Sequence, residues 1–245
     1  MEEYLKVGFF DNNIDDLLSL IIKSKTNTLC IGSSNSGNEN LIKMMANELV
    51  AEGQNIVMID EINQYSFGDR REKGFIEIKQ DILKDRREKD FIEIKNVLSK
   101  KPNKIFKSCE THEEIYEMIK YHEKGYFFMA SIISNDIEEY FADMAFVLSA
   151  NKKFSYQESI NTIADSIQFI IIYQSYSTGE YKIKSIVEVC GLNRDGSIKL
   201  NELFRYKIEA LDVDKKTGCK KLKGRFLKIG KLSPEMQLAF RGMNV

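Results

Sequence analysis

The chain has 245 residues, 43% of them hydrophobic and 30% charged, enough for one large α/β domain or two small ones with a solvated surface. Its net charge of −1 gives no basis for nucleic acid as a main partner. No apolar run approaches the ~20 residues that span a bilayer, so neither direct membrane insertion nor a secretory signal is expected. Cys30, Cys109, Cys190 and Cys219 form no C-x-x-C pair, which argues against a disulfide framework or a metal site and suits a reducing cytoplasm.

From Asn13 to Lys23, Ile14, Leu17, Leu18, Ile21 and Ile22 recur at helical spacing. Thr28–Ile31 reads as a strand, followed by the Gly/Ser/Asn loop 32–37. Asn38–Glu52 is a helix ended by Gly53. Asn55–Asp60 is apolar until its last acid, as suits a strand buried on both faces of a parallel sheet. A tandem duplication follows, DRREKGFIEIKQDILK (69–84) and DRREKDFIEIKNVLSK (85–100). One pair does not make a solenoid. It reads as a local surface duplication within a single domain spanning 1–245, and FIEI in each copy alternates like an edge strand. The sequence does not say which copy holds the original place.

Lys104–Cys109 reads as a weak strand, interrupted by Lys107 and Ser108. Glu113–Lys124 is helical, Tyr126–Ile133 an apolar strand, Asp136–Ser149 and Gln157–Ala164 helices. Ile167–Tyr173, Tyr181–Cys190 and Ile198–Tyr206 read as consecutive strands joined by hairpin turns at 177–180 and 193–196. A short strand, Arg225–Ile229, precedes a helix opened by Ser233-Pro234. Strands alternating with helices, then antiparallel strands, predict a mainly parallel sheet with an antiparallel extension.

The loop after the first strand has the architecture of a phosphate-binding loop. Gly32 and Gly37 are spaced as in G-x-x-x-x-G-K-[ST]. Asn38 stands where that pattern has lysine, and Glu39 where it has serine or threonine. The bland reading is a turn-forming loop, which accounts for Ser33, Ser34, Asn35 and Ser36 without a nucleophile.

In order and spacing these pieces resemble the C-terminal motor domain of the type II/IV secretion and pilus-assembly ATPases, closest to the CpaF-like branch of tight-adherence pili. The resemblance rests on DDLLSLIIKSKTNTLCIGSSNSGNENLIKMMANEL, on NIVMIDEINQY at the acid box, on KPNKIFKSCETHEEIYEMIKYHEKGYFFMASIISND from the Walker B region to the histidine box, and on the closing strands. It implies a RecA-like P-loop fold, with the family's N-terminal domain not represented in this sequence.

The resemblance also implies roles. Gly32–Glu39 would be a vestigial Walker A loop, Asp60 and Glu61 the acid box in swapped order, and Glu110 the Walker B glutamate. His112 stands where the family has arginine, and a mostly neutral imidazole cannot replace a guanidinium. Ile133 stands in the histidine box. An acid ~4 Å from a phosphate is repelled by about 4 kcal/mol at an effective dielectric near 20, so Glu39 is expected to stabilise the helix start and fill the anion site itself. Phosphoryl transfer depends on positioning and charge neutralisation, and four such devices are replaced. The expectation is a pseudo-ATPase without cofactor, a structural or regulatory subunit of a secretion or pilus machine. It would be cytoplasmic, peripheral at the inner membrane only through partners: an intact homologue, met in a homo- or hetero-oligomer, or the membrane platform protein. Two rivals stand beside it. One binds ATP and magnesium in a mixed ring; the other is an interaction module that uses the duplication as its contact surface.

Overall fold

A computed structural model describes residues 12–33, 38–61, 75–80, 98–99, 101–152, 154–213 and 220–242. Its elements run α1 (Asn12–Lys23), β1 (Thr28–Gly32), α2 (Asn38–Ala51), β2 (Ile56–Glu61), β3 (Phe75–Gln80), β4 (Lys104–Ser108), α3 (His112–Glu123), β5 (Phe128–Ile133), α4 (Ile137–Lys152), α5 (Tyr156–Ser166), β6 (Phe169–Ser175), β7 (Tyr181–Leu192), β8 (Ile198–Val213), β9 (Lys220–Lys228) and α6 (Pro234–Arg241).

The strands form one sheet in the order β3-β2-β4-β5-β1-β6-β7-β8-β9. From β3 to β6 every pairing is parallel. From β6 to β9 every pairing is antiparallel. Each parallel step needs a crossover, and helices supply three of them: α2 between β1 and β2, α3 between β4 and β5, and α4 with α5 between β5 and β6. Two hairpin turns set the second half. Gly179 and Gly196 hold φ of +81° and +83° there, a conformation that glycine adopts without strain.

Each face of the sheet has its own core. On one face Leu29, Ile31, Ile105, Phe128 and Ala130 pack under α3, α4 and α5. On the other, Cys30, Phe106, Met129 and Phe169 pack under α1, α2 and α6. Strand residues alternate between the two cores because successive side chains point to opposite faces. Burial on both faces is why β1, β2 and β5 read as continuous apolar runs.

Three details go beyond the sequence reading. The first copy of the duplication supplies β3, the terminal strand on that side among the described residues, paired in register with β2 from Ile56↔Phe75 to Glu61↔Gln80. The second copy's FIEI lies outside the described residues. β4 is no weak strand. It sits between β2 and β5 with Lys104 and Lys107 only 1% and 3% exposed. Finally, β8 and β9 are longer than Ile198–Tyr206 and Arg225–Ile229. They continue as a two-stranded ribbon through 207–213 and 220–225.

Candidate functional site

The carboxyl ends of the parallel strands form one crest, the place where open α/β sheets bind ligands. The sequence predicts the site there, and the topology brings its parts together. β1 ends at Gly32, buried, and pairs with β5 at Gly32↔Ile133. The Ser134 N–H donates to the Gly32 carbonyl at 3.0 Å, which ties the two strand ends. Ser33 is the last described residue before the loop. Ser34, Asn35, Ser36 and Gly37 lie outside the described residues. Asn38 and Glu39 open α2, and Asp60 and Glu61 close β2, but their side chains are not among those described, so the placement of Glu39 in the anion site stays an expectation.

The end of β4 is defined in full. Cys109 is buried, its N–H donating to the Ser131 carbonyl at 2.8 Å. Ser131 and Ser108, on the α2 face, meet at 3.2 Å between their Oγ atoms. Glu110 follows, exposed, and then Thr111 caps α3. The cap is reciprocal: the Glu114 N–H donates to Thr111 Oγ1 while the Glu114 carboxylate accepts from the Thr111 N–H. The same carboxylate accepts from the Glu110 N–H at 2.6 Å and pairs with Lys107 Nζ at 2.8 Å.

Lys107 and Glu114 are therefore one unit. Burial pushes the Glu114 carboxyl up, but Lys107 and the two N–H donors outweigh it, and the group ends below its ordinary value. Burial pulls the Lys107 ammonium down, while Cys109, Glu114 and Glu117 push it up further, so it stays charged. The sequence offered two signals for this unit that the strand reading passed over: a lysine inside an apolar run, and T-x-x-E at the following helix start.

His112 and Ile133 are the residues that the resemblance set at the family's arginine and histidine-box positions. The His112 ring stacks on Tyr140 of α4 at 4.9 Å between ring centroids. The His122 ring lies tilted against Phe127 at 5.9 Å. Burial, then the nearby Cys109, drive the Tyr140 hydroxyl well above the usual phenol range. Ile133 is 64% exposed at the end of β5, beside Gly32.

No family model matches this chain, and no curated protein does. Solved structures do. The VirB11 ATPase of the Brucella suis type IV secretion system, in complex with sulphate, aligns over 75% of this chain and 55% of its own, at 14% identity and a TM-score of 0.58. The pilus retraction motor PilT with bound ADP aligns over 93% and 54%, at 15% and 0.52. The Legionella pneumophila ATPase DotB aligns over 77% and 47%, at 14% and 0.50. The chain has the RecA-like fold of these ATPases. It spans about half the length of each.

That fold implies a nucleotide triphosphate with magnesium. The side chains of the loop that would face a phosphate, from Ser34 to Glu39, and those of Asp60 and Glu61 lie outside the described residues. A triphosphate needs cations aimed at the α2 side of the crest. Lys107, near the end of β4, shares the α3 face with Ile105 and is bound to Glu114. On the α2 side stand neutral Ser108, Ser131 and Ile133. No phosphoryl-transfer step is therefore derived.

Proposed function

We propose that this chain is a catalytically silent member of the secretion and pilus-assembly ATPase family, of the CpaF-like branch, working as a structural or regulatory subunit of a secretion or pilus machine. One observation carries the reading. The motor fold is kept while Ile133, 64% exposed, takes the crest position beside Gly32 that a phosphate-sensing side chain would need. Asn38, Glu39 and His112 depart from the pattern along with it. An isoleucine offers no donor or charge to a γ-phosphate, and Lys107, on the other face of the sheet, is committed to Glu114. The surviving function is then geometric: a sheet and a set of helix faces that an intact homologue or a membrane platform protein can recognise.

Calorimetric titration with magnesium and ATP tests this. The expected result is no binding at micromolar strength and no turnover. Micromolar binding, or turnover abolished by Glu110→Gln, overturns the reading. Asn38→Lys with Glu39→Thr is expected to raise nucleotide affinity by restoring one charge and removing another. If affinity does not rise, the loop is silent for a different reason. The exposed position of Glu110 at the end of β4 favours one rival, an ATP-binding or weakly active subunit working in a mixed ring with an intact homologue. Turnover that appears only when an intact homologue is added, and vanishes with Glu110→Gln, would select it.

A further inference from the structure

Two polar atoms are buried without a hydrogen-bond partner at the corner of β4, α3 and α4: His112 Nε2 and Tyr140 Oη. Buried polar atoms are almost always paired, so each orphan asks what it is for. These two are neighbours. Their rings stack with centroids 4.9 Å apart and planes within 19°. Tyr140 is 3% exposed, and the third polar group of the corner, Cys109, is 5% exposed in the same core. Cys109 is near enough to Tyr140 to raise the proton affinity of its hydroxyl. A thiol, an imidazole nitrogen and a phenol oxygen thus share one apolar corner.

The chain builds this corner from a short motif and one distant residue. Cys109 and His112 are spaced as C-x-x-H. Cys109 follows the last residue of β4, and His112 is the first residue of α3. The Cys109 N–H bonds the Ser131 carbonyl, which holds that strand end against β5. The Thr111 cap sets where α3 begins, and the stack on Tyr140 orients the imidazole. In sequence the pair has no third partner. Folding brings one from α4.

We propose that Cys109 Sγ, His112 Nε2 and Tyr140 Oη bind a divalent transition-metal ion of the zinc class. Sulfur and imidazole nitrogen are the donors zinc prefers, and three protein ligands leave one tetrahedral position for water. Hard cations such as magnesium and calcium take oxygen ligands instead. On binding, the thiol and phenol protons leave to solvent, because a bound ion favours the ionised form of its ligands. A divalent ion with one thiolate and one phenolate adds no net charge to the corner, and Lys107 is already balanced by Glu114. The ion would tie the end of β4 and the start of α3 to α4.

Zinc titration of the reduced full chain against a chromophoric chelator tests this, with cobalt(II) as the spectroscopic probe and variants first checked for native circular dichroism. Wild type is expected to take up one ion per chain, to show a thiolate-to-cobalt charge-transfer band, and to melt at a higher temperature with zinc than without. Cys109→Ser is expected to abolish the band. Tyr140→Phe keeps the stacked ring and the core and removes one oxygen, so it stays informative if Cys109→Ser does not fold. It and His112→Gln are each expected to weaken zinc binding at least about tenfold. A wild type that takes up no zinc at micromolar concentration overturns the proposal. So does a charge-transfer band that survives Cys109→Ser, which would place the ion at another cysteine, or an affinity unchanged in Tyr140→Phe.

Discussion

β4 carries two lysines three residues apart, both buried, and the fold treats them in opposite ways. Lys107, at the crest, faces α3 and meets a carboxylate. Lys104, at the other end of the strand, faces α1 and meets no acid among the described residues. Its Nζ donates to the Ile21 carbonyl at 2.9 Å, near the C-terminus of α1. Ser24 Oγ and Thr26 Oγ1 bond the same carbonyl at 2.9 and 3.3 Å. Burial pulls the Lys104 ammonium down to about 7, with Cys30 opposing it only weakly. A buried cation can be kept by a partner or allowed to shed its proton. The crest uses the first solution and the floor of the sheet the second, so charge at the crest is fixed and charge at the floor depends on pH.

The largest effect that separates them is the loss of a partner. Glu114→Ala strips Lys107, with its side chain 4% exposed, of its counter-ion and removes the α3 capping contact. It is expected to cost about 3–5 kcal/mol by denaturant unfolding. Lys107→Met should cost less, because Glu114, 20% exposed, keeps the Glu110 and Thr111 N–H donors. The pair also sets an acid limit. Glu114 sits below its ordinary 4.5, so the stability it lends is full above that pH and is lost as pH falls through the lower folded value. Glu114→Gln removes that component of acid unfolding. Equal losses in Glu114→Ala and Lys107→Met would mean the two residues do not act as this unit.

At the floor the next effect is a slope. Between about 7 and the ordinary 10.5, the unfolded chain binds a proton at Lys104 that the folded chain does not, so stability rises with pH. Cys30, which burial pushes up to about 12 from 9.0, acts the other way above pH 9. The window left to Lys104 is therefore pH 7 to 9, with a slope of up to about 1.4 kcal/mol per pH unit. Lys104→Met, of similar length and without charge, is expected to flatten that slope and leave the protein more stable at pH 7. A slope unchanged in Lys104→Met would place its origin elsewhere.

The same strand explains what the sequence could and could not reveal. β1, β2 and β5 are continuous apolar runs between turn residues, and their order discloses the parallel half of the sheet. β4 read as weak because a lysine in a strand counts as a solvated residue until its partner is known. The partners lie 83 residues upstream at Ile21 and 7 downstream at Glu114, and only folding joins the first. The ribbon 207–213 was hidden for a related reason. Its apolar and charged residues alternate across a register shift near Ile208 and Ala210, so the period breaks where the strand continues. The crest positions Gly32, Glu110 and Ile133 were legible in order, and the sheet brings β1, β4 and β5 together. The facing of Lys107 away from α2 was not legible, because it depends on the register of β4 against α3.

The smallest effect probes whether the floor relies on its charge or on its hydrogen bonds. Three donors surround one carbonyl at Ile21, and Ser24 and Thr26 are also within 2.6 Å of each other through their hydroxyl oxygens. Ser24→Ala removes one neutral donor and leaves Lys104 and Thr26 in place. The expected cost is about 0.5–1.5 kcal/mol, the net worth of one intramolecular bond. A hydroxyl does not titrate in this range, so that loss should be the same at pH 7 and pH 9, and the wild-type slope should persist. If Ser24→Ala instead flattens the slope as Lys104→Met does, the hydroxyls rather than burial govern the lysine, and the contrast between crest and floor reduces to one between two hydrogen-bonded cations.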